Sequence, residues 1–445
     1  MANTSSLSYA VDRITGSWRA LSGCQLTEAT DAQSYSAERF AEDELPQQVD
    51  LREFMTGVEN QAGANSCTAN AVVGGYEYFM NRLGYEVDFS RLFLYYNARA
   101  LAAELEGEEE ILDQGSSISQ ALEMLMDQGL CHEDTWPYEV KDDGKVVNVN
   151  EPPAADAYDE AEELKDVPEF QWEQPEKIPL DLHTMKHCLA EGYPFVFGLT
   201  LFKSFDQVNS HGRVPMPDFD SEEGRESHGN HAMLCVGYKD SIESFIVRNS
   251  WGEEWGEDGY CYIPYQYFTD EELCFECWKI KGQTDVDLSE EVWFEDEEVD
   301  EEFYEEAEEG DTCYLTQVEA IAVICLLGCE VDGLASEEAD LLDALYEEYE
   351  INTDALQEKI DALIEAGGLD MLYNASIQVI LAEDLSLATF QISAEFAIAD
   401  EELTEEEMDY WGQLAKDLEI AGETATALFN ETLEKYDLVT FETLF

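Results

Sequence analysis

The chain has 445 residues, of which 45% are hydrophobic and 11% aromatic, so it can build two or more domains with cores of their own. Its formal net charge is −80 at pH 7, from 102 acidic and 22 basic residues. Simple electrostatics therefore disfavours nucleic acid and anionic membranes as partners. A basic peptide, a basic protein or divalent cations suit this charge better. Solvation, or a salty cytoplasm, is the alternative explanation of the acidity.

The N-terminus and the cysteines both favour an intracellular location. Residues 1–6 lack a charged region followed by an apolar run, as a secretion signal would have. The apolar run at residues 320–329 is too short to span a membrane. The eleven cysteines are odd in number and lack paired spacing, which suits a reducing compartment better than a disulfide framework. We therefore expect a cytoplasmic protein without membrane insertion.

The first 280 residues predict a mixed domain. Residues 1–44 form a leader with weak helical patterning. Three helices are predicted, over residues 66–82, 117–129 and 181–191. Segments rich in β-forming residues predict strands over residues 193–199, 232–238, 245–248 and 259–263. Helices that precede strands in this way indicate the α+β class.

The acidic excess is concentrated towards the C-terminus. Residues 282–445 carry 48 acidic and 3 basic residues, a net charge of −45. Residues 285–311 are dominated by Glu and Asp and predict an extended, self-repelling linker. After residue 312 only helices are predicted, over residues 318–327, 337–349, 354–366, 370–383, 387–399, 405–418 and 423–436. The chain therefore predicts a second, all-α domain.

Three separated residues predict nucleophilic chemistry. Cys67 lies where a loop runs into the first predicted helix, and a helix N-terminus stabilises a thiolate. His231 precedes a strand and can act as acid and base, while Asn249 can orient its ring. Gln61, six residues before Cys67, can pair its side-chain amide with the Cys67 N–H as an oxyanion hole. The spacing predicts a thiolate–imidazolium pair.

These motifs resemble the papain (C1) family of cysteine peptidases. The resemblance rests on the Gln61-to-Cys67 spacing, the His231-Ala232 pair and the run that begins Asn249-Ser250-Trp251-Gly252. It covers roughly residues 45–281 and implies a two-lobed α+β fold, peptide-bond hydrolysis and no required cofactor. It also implies that the backbone of Gly115, Ser116 and Ser117 pairs with extended substrate. Trp251 would shield the His231–Asn249 hydrogen bond from water.

The departures from the family pattern point to a bacterial branch. Ala64 removes a cysteine that usually forms a nearby disulfide, and Thr68 replaces an aromatic residue beside the nucleophile. Cys67 and His231 are 164 positions apart, more than the usual interval of about 130–150. Two insertions account for the difference, at residues 141–175 and 210–230. The second insertion lies just before His231 and is expected to form the rim of the cleft, where it can act as a gate.

The C-terminal helices resemble the tellurite-resistance B-like (TerB-like) domain. Two acidic turns, each followed by a helix, repeat near residues 329–338 and 398–407, with Ser336 and Thr404 as expected N-caps. Carboxylates in these turns are weak candidates for Ca²⁺ or Mg²⁺ ligands, namely Asp332, Glu338, Asp400 and Glu406. Their spacing is not that of an EF-hand, and ordinary helix capping is the alternative.

The expected organisation is an N-terminal extension or short pro-segment, a papain-like domain, an acidic linker, a TerB-like domain and a tail, at residues 1–44, 45–284, 285–311, 312–436 and 437–445. We expect a cytoplasmic cysteine endopeptidase that acts on a peptide or protein substrate, and the acidity of the chain favours a basic one. The helical domain would regulate it or dock a protein partner. The alternatives are a dedicated processing peptidase or transpeptidase for one precursor, and a catalytically silent binding module.

Overall fold

The computed structural model divides the chain into two compact units. One comprises residues 1–6 and 18–310, and the other residues 7–17 and 311–445. The residues described exclude 1–8, 13–17, 27–31, 108–109, 142–143, 171, 206–207, 209–210, 218, 220–226, 283–285, 290, 295–302, 304–311, 314, 330–334, 350, 383–384, 397–398, 400–403, 419 and 436–445. Part of the predicted acidic linker and the C-terminal tail lie outside them.

The two units differ in their secondary structure. The strands are β1 Tyr9–Asp12, β2 Trp18–Ala20, β3 Gln33–Ser34, β4 Gln48–Asp50, β5 Glu176–Lys177, β6 Phe195–Phe202, β7 Ser227–Lys239, β8 Ser244–Arg248, β9 Tyr260–Pro264, β10 Cys274–Lys279, β11 Trp293–Phe294 and β12 Thr312–Cys313. The helices are α1 Cys67–Arg82, α2 Arg91–Glu106, α3 Ile118–Gln128, α4 Ala155–Lys165, α5 Leu182–Ala190, α6 Tyr265–Phe268, α7 Gln317–Cys329, α8 Ser336–Glu348, α9 Thr353–Ala382, α10 Ser386–Phe396, α11 Glu405–Asp417 and α12 Gly422–Lys435.

A largely antiparallel sheet forms the centre of the first unit. Its strand order is β11-β4-β7-β6-β10-β5-β3, and β8 and β9 extend it from β7. The long strand β7 is buried along nearly its whole length, because strands cover it on both edges and α1 packs against it. Leu234 of β7 pairs with Arg248 at the end of β8. This register brings the residues that follow β8 close to the first half of β7.

Helix α1 runs through the core of the first unit. Every residue from Cys67 to Met80 is buried, so the helix is covered on all sides, as a core helix is. Gly75 lets the helix approach β7, because a Cβ there would lie 3.2 Å from the Leu234 side chain. The helix predicted over residues 66–82 is confirmed, and its rigid first turn carries Cys67.

The other predicted elements of this unit are confirmed with small shifts in their ends. The predicted insertion at residues 141–175 contains helix α4, whose Ala157 and Ala161 pack with Phe93 and Cys131. Within the predicted gate at residues 210–230, residues 227–230 belong to β7 and pair with β6. The gate was therefore predicted too long, because pairing with β6 extends the strand that carries His231.

The second unit is helical, with one short strand pair. In β1 and β12, Val11 pairs with Cys313 and Asp12 with Thr312, so residues from both ends of the chain share this unit. The apolar helix α7 is buried, and its Glu319 forms an ion pair of 2.8 Å with Lys359 of α9. None of the helices in the described part of the chain is long and apolar enough to cross a membrane.

Two predictions for this unit are wrong. The helices predicted over residues 354–366 and 370–383 form the single helix α9, which continues through Gly368 at a φ of +76°. Packing of Leu363 and Leu372, both buried, outweighs the helix-breaking tendency of glycine. Ser336 is not an N-cap but the first residue of α8. Ala335 is the cap, and its N–H donates to Glu338 at 2.7 Å.

Candidate active site

Cys67 is the first residue of α1 and is fully buried. The loop before it is tied down, since the Asn65 backbone N–H donates to the Asp113 carboxylate at 3.0 Å. The Asn70 side-chain amide reaches back one helical turn to the Ser66 carbonyl at 3.0 Å. The backbone N–H of Ala232 donates to the Cys67 sulfur. Loop, helix and strand β7 therefore meet at this thiol.

His231 and Asn249 are brought together by the pairing of β7 with β8. His231 Nε2 lies 2.8 Å from Asn249 Oδ1, which also accepts the Ser250 backbone N–H at 2.8 Å. Because an amide oxygen only accepts, Nε2 must carry the hydrogen and Nδ1 must be the basic nitrogen. The Trp251 ring lies 4.9 Å from the His231 ring and covers it. His231 is therefore an oriented base on the strand that packs against α1, the helix that begins with Cys67.

Gln61 is fully buried and held at both ends of its amide. Its Nε2 donates to the Ala64 carbonyl at 2.9 Å, and its Oε1 accepts from the Ser250 hydroxyl at 2.5 Å. Its backbone N–H donates to the Ser250 carbonyl at 2.8 Å. An amide nitrogen has two hydrogens, so the second can serve an oxyanion. Ser250 was missed in the sequence, because it was considered only as part of the Asn-Ser-Trp-Gly turn.

This geometry belongs to a known family. A family model described as papain family cysteine protease matches residues 45–274, just over half of the chain. The chain belongs to the papain family of cysteine peptidases. Peptidases of this family need no cofactor, because the thiol and the imidazole of the protein carry the reaction.

Individual relatives agree with this assignment. An uncharacterised peptidase C1-like protein of Acanthamoeba polyphaga mimivirus is 32% identical over 53% of this chain and 75% of its own length. Cathepsin L of Sarcophaga peregrina is 26% identical over 48% of this chain and 58% of its own. A solved structure of xylellain, a cysteine protease from Xylella fastidiosa, is 31% identical and covers 59% of this chain and 96% of its own, with a TM-score of 0.50.

Residues 20–25 of the peptidase lie across the active site. Gly23 and Cys24 both donate their backbone N–H to the Asn230 carbonyl at 3.0 Å, next to His231. Earlier in the segment, the Ala20 carbonyl accepts the Trp251 indole N–H at 3.0 Å. Ala20 to Cys24 are buried, so this segment covers the thiol and the imidazole. The sequence carried no signal of this contact.

The predicted substrate-binding backbone is occupied by the same segment. Ser116 N–H donates to the Gly23 carbonyl and the Ser116 carbonyl accepts the Gln25 N–H, each at 3.0 Å, in a parallel bridge centred on Cys24. Gly115 has a φ of +83°, and a Cβ there would come within 2.1 Å of the Gly23 carbonyl oxygen. Ser117 instead caps helix α3, since its hydroxyl accepts the Gln120 N–H at 3.1 Å.

Burial sets the protonation of the covered site. It raises the pKa of the Cys67 thiol to about 12, partly offset by backbone N–H donors that include Ala232. Burial also lowers the pKa of His231 to about 4, although Asn249 favours the protonated ring. Burial therefore favours a neutral thiol and a neutral imidazole in this covered state, against the predicted thiolate–imidazolium pair. Desolvation outweighs the helix terminus here.

A second part of the N-terminal extension is anchored at His187, which is fully buried. His187 Nε2 accepts the backbone N–H groups of Arg39 and Phe40 at 3.1 and 3.0 Å. On the other side of the ring, Nδ1 lies 2.5 Å from the Tyr35 hydroxyl, which donates to Glu191 at 2.9 Å. Strand β3 pairs with β5 beside this anchor. A neutral ring satisfies all of these bonds.

The weak metal candidates are not brought together. Among the residues that the structure describes, no three His, Cys, Asp or Glu side chains are grouped to hold an ion. Glu338 accepts the N–H of its own helix cap, and Asp332 and Asp400 lie outside the described residues. Glu406 lies in the first turn of α11. For Glu338 the capping alternative is the one the structure supports.

Proposed function

We propose that this peptidase hydrolyses peptide bonds with Cys67 as nucleophile, His231 as acid and base, and Asn249 as the residue that orients His231. The hydrogen bond of 2.8 Å between His231 Nε2 and Asn249 Oδ1 is the observation that carries the proposal. It leaves Nδ1 as the nitrogen that can take the thiol proton. The resulting thiolate attacks the substrate carbonyl, and His231 returns the proton to the leaving amine.

The oxyanion of this reaction would be stabilised by the Gln61 side-chain amide and the Cys67 backbone N–H. Collapse of the tetrahedral intermediate releases the amine and leaves an acyl-enzyme on the Cys67 sulfur. Water, deprotonated by His231, then hydrolyses this thioester and restores the thiol. The backbone of Gly115 and Ser116 would hold the substrate in an extended form, using the groups that now bind Gly23 and Gln25.

We further propose that residues 1–44 act as a short pro-segment and that the structure shows a latent enzyme. Residues 20–25 use the hydrogen-bonding groups that a substrate would need, and they exclude water from Cys67 and His231. The high thiol pKa in this state supports latency, because the thiolate is the reactive form. Departure of the segment would hydrate the site and permit the ion pair.

The finer features of the proposal rest on sequence. We place the enzyme in the cytoplasm, as a bacterial-type, two-lobed member of the family, and its likeness to the Xylella fastidiosa protease supports the bacterial type. The C-terminal unit would be a TerB-like accessory domain for regulation or for docking of a protein partner. The net charge of −45 in residues 282–445 supports a basic partner or substrate.

The test is covalent labelling of the full chain with a peptidyl epoxide, followed by peptide mapping. We expect an adduct on Cys67 that is absent from the Cys67→Ala chain. Labelling should be slow in the wild type and faster in a Gly23→Val chain, because the valine side chain prevents residues 20–25 from binding over the site. Absence of labelling in wild type and Gly23→Val between pH 5 and 8 would contradict the proposal and favour a silent binding module.

A cleavage profile on a peptide library distinguishes a general endopeptidase from a dedicated processing enzyme. We expect the Gly23→Val chain to cleave many sequences. Cleavage of one motif alone would favour processing of a single precursor. Transfer of the acyl group to an added amine in preference to water would favour a transpeptidase. Comparison of cleavage with and without Ca²⁺ tests whether the C-terminal carboxylates affect the activity.

A further inference from the structure

Tyr138 joins the two ends of the active-site loop. Its hydroxyl donates to the Gln61 carbonyl at 2.8 Å and lies 2.7 Å from the Ser66 hydroxyl. A carbonyl only accepts, so the Tyr138 hydrogen goes to Gln61 and Ser66 must donate to Tyr138. The Asn70 amide in turn donates to the Ser66 hydroxyl at 3.0 Å. The result is a one-way chain of hydrogen bonds from Asn70 through Ser66 and Tyr138 to Gln61.

The position of Tyr138 is set by α2 and is independent of any substrate. The Arg91 guanidinium lies 4.8 Å from the centre of the Tyr138 ring. Arg91 is itself buried and paired with Glu59 at 2.6 Å and Glu133 at 3.4 Å. Glu133 also accepts the Tyr138 backbone N–H at 2.5 Å. Tyr138 is therefore held both by its ring and by its backbone, so it can serve as a fixed support for the loop.

We propose that Tyr138 is a positioning residue for the oxyanion hole, holding Gln61 and Ser66 at the distance that the reaction requires. The inference rests on the proposed hydrolysis by Cys67. Ser250 fixes the side-chain amide of Gln61, whereas Tyr138 fixes its backbone and the residue before Cys67. Tyr138 touches no reacting atom, so it acts only through these two residues.

The expected effect lies in the chemical step. Loss of a whole oxyanion-hole donor costs about 100- to 1000-fold in kcat, so a displaced donor should cost about tenfold. Tyr138→Phe removes only the hydroxyl and should lower kcat about tenfold with KM within twofold. A peptide aldehyde, which forms a tetrahedral adduct with the thiol, should bind Tyr138→Phe about tenfold more weakly. A peptidyl epoxide builds no such oxyanion, so its labelling rate should be unchanged.

The experiment uses full-length chains that carry Gly23→Val to raise turnover. Tyr76→Phe is the matched control, because Tyr76 lies on α1 and its hydroxyl donates to the distant Phe170 carbonyl at 3.0 Å. Tyr76→Phe should lower the melting temperature without changing kcat. Ser66→Ala should also lower kcat, and the Ser66→Ala/Tyr138→Phe double variant should lose less than the product of the two single losses.

Two results would overturn the inference alone. One is epoxide labelling and kcat in Tyr138→Phe that both match the parent chain. The other is a parallel loss of labelling and kcat, which would indicate a general structural defect. A parent chain with neither labelling at Cys67 nor turnover would overturn the proposed function, and the inference with it. If the melting curve shows that Tyr138→Phe does not fold, Ser66→Ala takes its place. The same changes in kcat, aldehyde affinity and epoxide labelling then test the inference.

Discussion

The two parts of the N-terminal extension contact the peptidase domain by different kinds of interaction. Residues 20–25 bind mainly through backbone hydrogen bonds, at Gly23, Cys24 and Gln25, and through the close fit of Gly23 against Asn65. Residues 33–40 bind through backbone groups and the Tyr35 side chain, centred on the buried His187 with Glu191 and Lys279 nearby. The first contact specifies which groups of the enzyme are blocked. The second contains a titratable group, so it can make the block depend on conditions.

The largest effect should come from breaking the backbone contact. Gly23 has a φ of +136°, and a Cβ would lie 2.6 Å from the Asn65 carbonyl oxygen. A valine there adds backbone strain of roughly 1–3 kcal/mol and a clash with fixed backbone. We expect epoxide labelling of Cys67 to become about 100-fold faster, as about 3 kcal/mol of lost docking would give.

The control for this prediction is Gly84→Val. Gly84 also has a positive φ, +85°, but nothing lies within 4 Å of a Cβ there, and it is outside the extension. Gly84→Val should lower stability without speeding the labelling. Equal labelling of wild type and Gly23→Val would show that residues 20–25 do not limit access to Cys67.

The anchor should weaken with acid. Burial lowers the pKa of His187 below its ordinary value near 6.5, against the opposing effect of Glu191 and together with His183, Lys279 and Arg39. The anchored state therefore binds fewer protons than the released one, so docking is strongest above about pH 6.5 and is lost as pH falls. Each pH unit below that value should weaken docking by up to about tenfold.

Hydrogen exchange at residues 35–40 of the Cys67→Ala chain measures this loss without self-cleavage. Protection, corrected for the intrinsic pH dependence of exchange, should fall between pH 7 and 5. In His187→Gln an uncharged oxygen can accept both N–H groups, so protection should become nearly independent of pH. His132→Gln is the control and should keep the wild-type profile, because His132 pairs with Glu160 at 2.9 Å and is not part of the anchor. A pH-independent wild type would refute the histidine mechanism.

A smaller effect is expected at Tyr35. Its hydroxyl joins His187 to Glu191, and its ring lies 4.5 Å from the Lys279 ammonium group. Tyr35→Phe keeps the ring and loses two hydrogen bonds, at a net cost of about 1–2 kcal/mol. Protection of residues 35–40 at pH 7 should fall about tenfold, while the backbone amides of Gly23 and Cys24 should keep their protection from exchange. Loss of protection in both segments together would show that they dissociate as one unit.

The smallest effect is expected from the surface ion pair of this anchor. Arg39 pairs with Asp287, but their side chains are 40% and 61% exposed. Exposed pairs contribute about 0–1 kcal/mol. Arg39→Ala should therefore change protection of residues 35–40 less than fivefold, and 0.5 M NaCl should have a similar effect in the wild type. A change as large as that of Tyr35→Phe would mean that the anchor is mainly electrostatic.

The sequence predicted the parts of the site that depend on local pattern. Cys67 was expected at the start of α1 because a turn-like segment precedes an apolar helical run, and the helix begins there. His231 and Asn249 were expected at a strand and at the turn after another strand. Their pairing requires the register of β7 with β8, which the motif order implied only through resemblance to the family. The helices and strands predicted in the first unit were found there, whereas α2, α4 and β10 were not predicted.

Prediction was poorer for features that depend on contacts between residues far apart in the sequence. The merged helix α9 depends on burial of Leu363 and Leu372, which outweighs two glycines that favour a break. The role of Tyr138 was not predicted, because its two hydrogen-bond partners lie 77 and 72 residues away in the chain. Thr68 was noted only as a lost aromatic, yet its hydroxyl lies 2.5 Å from that of Ser116.

The sequence by itself indicated the chemistry of this protein: a thiol at a helix start, a histidine on a strand, an asparagine in the turn after another strand, and a glutamine shortly before the thiol. These depend on residue type and local periodicity, which a sequence shows directly. Only the tertiary structure decided whether Cys67 and His231 are accessible or covered. Residues 20–25 meet the cleft through backbone groups, which leave no pattern of side chains to read. Their burial of Cys67 and His231 favours a neutral thiol and imidazole over the ion pair that the motif implies.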